Sequence, residues 1–232
     1  MSIYLIPCPI VEESVASIPE DTRLVLYKIN YFVVERIRTA RRFLRKMNHP
    51  TPIDDMHFIE MGKHTEWLEV MEFLSLHAPS RDIGIISEAG CPGIADPGSK
   101  VVAWAHNHNI SVNPLVGPSS ILLALMASGM NGQRFRFHGY LPVKPPQLKT
   151  KLKELEADVR KHNESQIFIE APYRNGSMIK ACAQHLQADI MLCVAVDIQE
   201  TTQEINSHPI KSWKNRDVDK YHKRPAVFIL GK

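Results

Sequence analysis

The run Glu88-Ala89-Gly90-Cys91-Pro92-Gly93-Ile94-Ala95-Asp96-Pro97-Gly98 places three glycines and two prolines in eleven residues. It follows an apolar stretch, 83–87, that reads as a strand, and it precedes a helical pattern that begins at Ser99. Glycine removes the Cβ that would hold main chain away from a ligand. Proline fixes φ, so the loop keeps its shape at little entropic cost. No glycine occurs before Gly62, yet eight of the eleven fall between Gly84 and Gly139. The middle of the chain is therefore the expected binding region. Asp96 and Pro97 are expected to cap the next helix, as its N-cap and N1 residues.

A second turn of the same kind follows. Val116-Gly117-Pro118-Ser119-Ser120-Ile121 sets a glycine at a strand end and serines before a helix. Two strand-to-helix turns at the carboxyl ends of neighbouring strands are where open α/β sheets bind ligands. Around these turns, strand-like runs at 3–7, 32–35, 57–61, 83–87, 111–115, 134–139, 166–170, 191–198, 203–206 and 226–230 alternate with helical patterns at 66–76, 99–108, 119–128, 147–162 and 175–186. This alternation predicts an α/β protein with largely parallel pairing in its first half. Pro114, Gly117 and Pro118 punctuate the centre and predict two domains, residues 1–115 and 116–232.

Composition narrows the function. The chain has 232 residues, 44% hydrophobic and 23% charged, an ordinary balance for a globular protein with a real core. No apolar run approaches the roughly 18 residues of a membrane span, and Met1-Ser2-Ile3-Tyr4-Leu5-Ile6-Pro7 lacks a basic n-region, so no export signal is expected. Four scattered cysteines form no C-x-x-C pair, which points to a reducing cytoplasm rather than to a disulfide framework. Eleven histidines contain no H-E-x-x-H, and no metal site is expected. A net charge of +3 permits a polyanionic partner without demanding one. A P-loop is absent. So is the early glycine-rich turn of a dinucleotide fold: the first strand ends in Pro7-Cys8-Pro9-Ile10.

The ordered segments Pro7-Cys8-Pro9-Ile10, Ser87 through Gly98, Gly117-Pro118-Ser119-Ser120, residues 135–142 and Glu170-Ala171-Pro172-Tyr173-Arg174 resemble the signatures of the tetrapyrrole methylase superfamily. Within it the chain is most similar to the ribosomal RNA small-subunit methyltransferase I family of cytidine 2′-O-methyltransferases. The likeness runs over residues 3–230. It implies a two-domain tetrapyrrole-methylase-like α/β fold, a cofactor cleft between the domains holding S-adenosylmethionine, and a homodimer. By the same resemblance Ser87, Ala89, Pro92 and Gly93 line the cofactor from the first turn, and Ser119 and Ser120 from the second. Glu170, Ala171, Pro225 and Ala226 are further cofactor candidates. A zwitterionic, partly apolar cofactor suits main-chain donors, hydroxyls and small apolar walls better than a metal.

The substrate side departs from the family pattern. A Gly-Asn-Leu-like turn is replaced by Val11-Glu12-Glu13, an Ala-Glu-Asp-Thr-Arg motif reads Val34-Glu35-Arg36-Ile37-Arg38, and an Arg-Glu-Leu-Thr-Lys-like stretch reads Val196-Asp197-Ile198-Gln199-Glu200. Residues 36–47 form a basic amphipathic helix whose Arg38, Arg41, Arg42, Arg45 and Lys46 share one face. That face either engages RNA phosphates or is answered by nearby acids. The expected chemistry is methyl transfer, probed at three candidate catalytic residues. Glu35 and Glu88 are candidate bases for an acceptor hydroxyl, and Arg174 is a candidate anchor for an anionic substrate. Two other functions stay open: methylation of a small molecule such as a tetrapyrrole, and binding of cofactor or RNA without catalysis.

Overall fold

The computed structural model describes residues 1–62 and 65–232. These divide into two compact units, Met1–Ser119 and Ser120–Lys232. In the first unit, β1 (Ser2–Ile6), β2 (Tyr31–Val34), β3 (His57–Glu60), β4 (Ile83–Ile86) and β5 (Ser111–Pro114) form one sheet in the order β3-β2-β4-β1-β5. Every pairing in it is parallel, with Ile3 opposite both Ile83 and Val112. The connections carry α1 (Glu20–Leu26), α2 (Ile37–Lys46), α3 (Trp67–His77) and α4 (Ser99–Asn107). A parallel sheet needs both faces covered, so its strands are apolar on both sides. Ile6, Phe32, Val34 and Ile86 accordingly join one core with Ala40, Phe43 and Leu44 of α2, while Ile3, Val33, Ile83 and Ile85 join another with Val70 and Leu74 of α3 and Val101 and Trp104 of α4.

The second unit holds α5 (Ser120–Ser128), β6 (Phe135–Tyr140), α6 (Pro145–His162), β7 (Ser165–Ile169), α7 (Asn175–His185), β8 (Met191–Val196), β9 (Glu204–Pro209), α8 (Ile210–Trp213) and β10 (Ala226–Gly231). Its sheet has the order β6-β7-β10-β8-β9. Only β6 and β7 pair in parallel; β7-β10, β10-β8 and β8-β9 are antiparallel. In α6 the stripe Leu148, Leu152, Leu155 and Val159 is buried in a core shared with Phe168, Phe228 and Trp213. Proline starts that helix, and Arg160, Lys161 and His162 sit in its last turn, where they complement the carboxyl end of the dipole. On the opposite face Ala124 and Leu125 of α5 pack with Ile167, Cys193, Ala195, Val227 and Ile229.

The strand periods expected from sequence appear within a residue or two of their positions. Two short helices do not: α1 has seven residues and α8 four, lengths at which packing rather than local preference stabilises a helix. The strand expected at 203–206 extends to Pro209, because its whole length pairs with β8. No helix among the described residues is long and apolar enough to cross a membrane.

Gly84, in the centre of β4, has space for nothing larger. A Cβ there would stand 2.5 Å from Ile6 Cδ1 and 2.9 Å from Phe32 Cδ1. Gly84→Val overpacks this contact and should cost about 1–3 kcal/mol, read as a lower urea midpoint with an unchanged m-value. An unaltered midpoint would contradict the packing described.

Candidate functional site

In the first sheet, β1 and β4 are neighbours whose connections leave in opposite directions. The chain after β1 crosses to β2 on one side, and the chain after β4 crosses to β5 on the other. That is a topological switch point, where a crevice opens beyond the carboxyl ends of the strands. The two turns singled out from sequence follow β4 and β5, and those strands are not neighbours as expected: β1 lies between them. The Pro7-Cys8-Pro9 segment at the end of β1 is therefore the centrepiece, flanked by a turn on each side.

Main chain joins these segments. Cys8 N–H donates to Gly90 O at 2.9 Å and Gly90 N–H returns the bond to Cys8 O at 3.0 Å. Gly90 takes φ +72°, in the left-handed region that favours glycine. Cys91 Sγ lies 3.4 Å from Pro118 O, which ties the first turn to the second. Gly117 packs so tightly on Pro7 that a Cβ would fall 2.2 Å from Pro7 Cγ. Burial first, and then the charges of Glu35 and Glu88, push the Cys8 thiol far up, so it packs rather than reacts. A cavity of about 110 Å³ lies beside this junction, lined by Cys8, Pro9, Thr39, Phe43, Ser87 and Glu88 among others.

Inside the first turn, Asp96 does something other than cap a helix. Its carboxylate accepts Gly93 N–H at 2.8 and 2.9 Å and Gly98 N–H at 2.7 Å. Helix α4 instead starts at Ser99 with Gly98 at its N-cap, so the expected capping by Asp96 and Pro97 is corrected. The side chain turns inward because two loop amides there have no other acceptor, and the turn outbids the helix for it. Burial raises the Asp96 carboxyl against the opposing effect of those two N–H groups. Gly93, at φ +84°, has nothing within 4 Å of where a Cβ would be. The turn thus presents an open face there.

Glu35 and Glu88, expected as alternative bases, are brought together. Glu88 N–H donates to Glu35 Oε2 at 3.0 Å, while the Glu88 carboxylate faces exposed Arg36 at 3.8 Å. Glu35 is half-buried. That burial raises its carboxyl, the Glu88 N–H offsets part of the effect, and the Asp96 and Glu88 charges add to it. Glu60 accepts Ile37 N–H at 3.0 Å at the start of α2. On the basic face of α2, Arg41 pairs with Asp54, Arg42 with Glu12, and Lys46 with Glu12 and Glu13. For those three bases the acid-answered reading of the helix is the observed one. Among the described residues, no group of three or more His, Cys, Asp or Glu is placed to hold a metal ion.

Ser87 is buried, with Oγ 3.3 Å from both Ala89 O and Gly90 O. Pro92 is also buried, Ala89 is exposed, and Ser119 is partly exposed. In the second unit, Ser120 opens α5. Glu170 and Ala171 follow β7, while Pro225 and Ala226 lead into β10, its antiparallel neighbour, so these four lie side by side. The Lys223 N–H bond to Pro172 O at 2.9 Å closes the pair. Arg174 is not free: Nε lies 3.2 Å from Glu170 Oε2, and Glu170 Oε1 accepts Ala171 N–H at 2.8 Å.

Sequence reading missed two residues that brace this edge. Asn175 is fully buried and donates from Nδ2 to Tyr221 O at 3.0 Å and Arg224 O at 2.6 Å. Arg224 reaches Asp197 at 2.8 Å, Glu204 at 2.7 Å and Thr202 O at 2.6 Å. These partners lie 20 or more positions away in the chain, so no local signal marks them. Asp96 could have been found, since an acid between two glycines in a turn is a standard acceptor for its own loop.

Two outcomes test this geometry. Asp96→Ala leaves two amides without an acceptor and should cost about 1–3 kcal/mol. Faster proteolysis within 90–98 and a lower melting temperature are expected, both partly restored in Asp96→Asn. For Glu35 the folded pKa lies above the unfolded one. Its stability contribution is therefore full below the ordinary carboxylate range and is lost as pH rises through the folded value. Glu35→Gln keeps an acceptor for Glu88 N–H without the charge. It should melt above the parent at pH 8, and the gap should close on acidification; a gap that widens in acid would refute the assignment.

No protein-family model matches the chain. Among curated proteins it is 32% identical over 219 residues to ribosomal RNA small subunit methyltransferase I of Bacillus subtilis, covering 93% of this chain and 70% of that protein. The protein of the same name from Vibrio cholerae is 27% identical over 208 residues, covering 90% of this chain and 68% of its own. Among solved structures, the crystal structure of the methyltransferase CobJ superposes with a TM-score of 0.65 at 14% identity, covering all of this chain (100%) and 94% of that one. That likeness shows the fold, the tetrapyrrole-methylase type of α/β protein. The identity and coverage against the Bacillus subtilis protein show that the chain belongs to the ribosomal RNA small subunit methyltransferase I family.

Proposed function

We propose that this methyltransferase uses S-adenosylmethionine to methylate a ribose 2′-hydroxyl of small-subunit ribosomal RNA. The observation that carries the reading is the position of the Ser87–Gly98 turn. It lies at a switch point, is braced from within by Asp96, and has an open face at Gly93. The residues present suit the cofactor: small side chains at Ala89 and Gly93, hydroxyls at Ser87, Ser119 and Ser120, and no competing charge on the open glycine. Ser87, Ala89, Pro92, Gly93, Ser119 and Ser120 would hold it. Glu170, Ala171, Pro225 and Ala226 are part of the same proposal, supported by their placement side by side. When bound, the cofactor supplies a methyl group on a sulfonium, a good leaving group.

The protein's task is then alignment and proton removal. Glu35 is the favoured base. Its carboxyl is held above the ordinary range by burial, so it accepts a proton more readily than an exposed acid. The Glu88 N–H that it accepts fixes its orientation. The Glu88 carboxylate is paired at the surface with exposed Arg36. Arg174 acts through Glu170, which it holds in place, and not as a free anion anchor. A homodimer and a cytoplasmic location belong to the same proposal, on the strength of the family resemblance.

Incubation with labelled S-adenosylmethionine and small ribosomal subunits lacking the modification tests this. Label in a ribose 2′-O position is expected, with Glu35→Gln lowering kcat by roughly 10²–10⁴-fold, the range for loss of a general base, while the cofactor Kd stays within a few-fold of the parent value. Transfer to a porphyrinoid in place of RNA would move the substrate assignment to the tetrapyrrole reading. Tight cofactor binding without transfer to any acceptor would leave a binding module.

A further inference from the structure

At the amino ends of the first sheet, opposite the edge that carries the candidate site, four rings and a guanidinium gather from three separate segments. Tyr31 opens β2, His57 opens β3, Phe73 and His77 lie on the last turns of α3, and Arg81 precedes β4. Tyr31 and His57 are stacked, with centroids 4.4 Å apart and planes at 15°. His77 packs on Tyr31 at 4.7 Å and on Phe73 at 4.7 Å. The Arg81 guanidinium stands over the Tyr31 ring at 6.0 Å. His57 and Arg81 are exposed, and the other three rings are partly so.

The methyl-transfer reading makes no use of this cluster. Its residues lie at the amino ends of β2, β3 and β4 and at the end of α3, whereas the two turns leave the carboxyl ends of β4 and β5, so it cannot reach a reacting atom. Tyr31 and Phe73 pack against the core from its rim and stay partly exposed, and His57 is exposed. Of the acids adjoining it in sequence, Asp82 accepts Ser2 N–H at 2.8 Å and Asp54 pairs with Arg41, while Asp55 and Glu72 are exposed at its margin. What faces solvent is the exposed His57 ring, stacked on Tyr31, and the Arg81 guanidinium, with the partly exposed rings of Tyr31, Phe73 and His77 around them. Nucleobases stack on such faces, and arginine adds a cation–π or phosphate contact. An acidic peptide would use the guanidinium but leave the rings idle.

We propose that Tyr31, His57, Phe73, His77 and Arg81 form a docking surface for single-stranded RNA, remote from the methyl-transfer centre. The choice of RNA rests on the function proposed above; the surface itself rests on the ring geometry. It would hold a flanking stretch of a long RNA while another stretch meets the reactive turns.

The test is fluorescence anisotropy with a short labelled oligouridylate at low salt, on the parent and on a His57→Ala, Arg81→Ala double variant. Both positions are exposed, and melting temperature and S-adenosylmethionine affinity check that the variant is folded. The expected result is an oligonucleotide affinity roughly tenfold weaker, about the loss of one stacked base, with cofactor affinity unchanged. Ultraviolet cross-linking of the parent complex should place adducts on peptides containing Tyr31 or His57. Equal affinity in the two proteins, adducts only elsewhere, or no oligouridylate binding by the parent would overturn the proposal. If the parent methylates ribosomal RNA and the affinities are equal, the surface fails and the function stands. If it methylates no RNA while the double variant loses affinity, the function fails and the surface stands.

Discussion

The pair of hydrogen bonds between Cys8 and Gly90 sets the geometry on which the rest of the candidate site depends. Parallel strands β1 and β4 run side by side for four residues and then send their chains in opposite directions. Left alone, the two ends would splay. The reciprocal main-chain bonds hold them together one step beyond the sheet, and Gly90 supplies the left-handed φ that lets its carbonyl and amide face Cys8 together. Pro7 on one side of the bond is packed by Gly117, and Cys91 on the other reaches the Pro118 carbonyl. Three strand ends become one surface through main chain and small residues.

That surface keeps its shape through an internal acceptor. Asp96 satisfies two amides of its own turn, so Gly93 and Gly98 need no acceptor from outside it. A half-buried carboxylate is costly, and burial raises this one, while two N–H donors at hydrogen-bond distance offset part of that effect. Glu35 plays the corresponding part at the loop's entrance. The acids of this edge therefore act first as organisers of main chain. Any catalytic role for Glu35 is built on that placement, since a base is useful only when its lone pair is aimed.

The second unit solves a similar problem with side chains. Its sheet is mostly antiparallel, and the entry to β10 comes from a long connection whose main chain bonds neighbouring segments at Lys223 and Pro225, just before the strand begins. Asn175 and Arg224 add side-chain bonds there: one donates to two carbonyls of the connection, and the other gathers Asp197, Glu204 and the Thr202 carbonyl. Asp197 and Gln199 adopt φ +48° and +70° in the turn so gathered. The altered Val196–Glu200 stretch is thus an anchored turn, whose acid answers an arginine from far along the chain.

Much of this was legible from residues alone. Period-two and apolar runs determine strands, the Leu148-Leu152-Leu155-Val159 stripe determines a helix with one buried face, and the glycine-proline density at 88–98 determines an irregular main-chain turn, because each depends only on neighbours within a few positions. Tertiary structure alone decided the strand order that sets β1 between the two turns, the inward rotation of Asp96, the pairing of Arg174 with Glu170 and the gathering of Tyr31, His57 and His77. Those outcomes depend on which distant segments meet. A backbone amide seeking an acceptor, or a ring seeking a neighbour, is satisfied by whatever the fold brings within reach, and linear spacing carries no record of that.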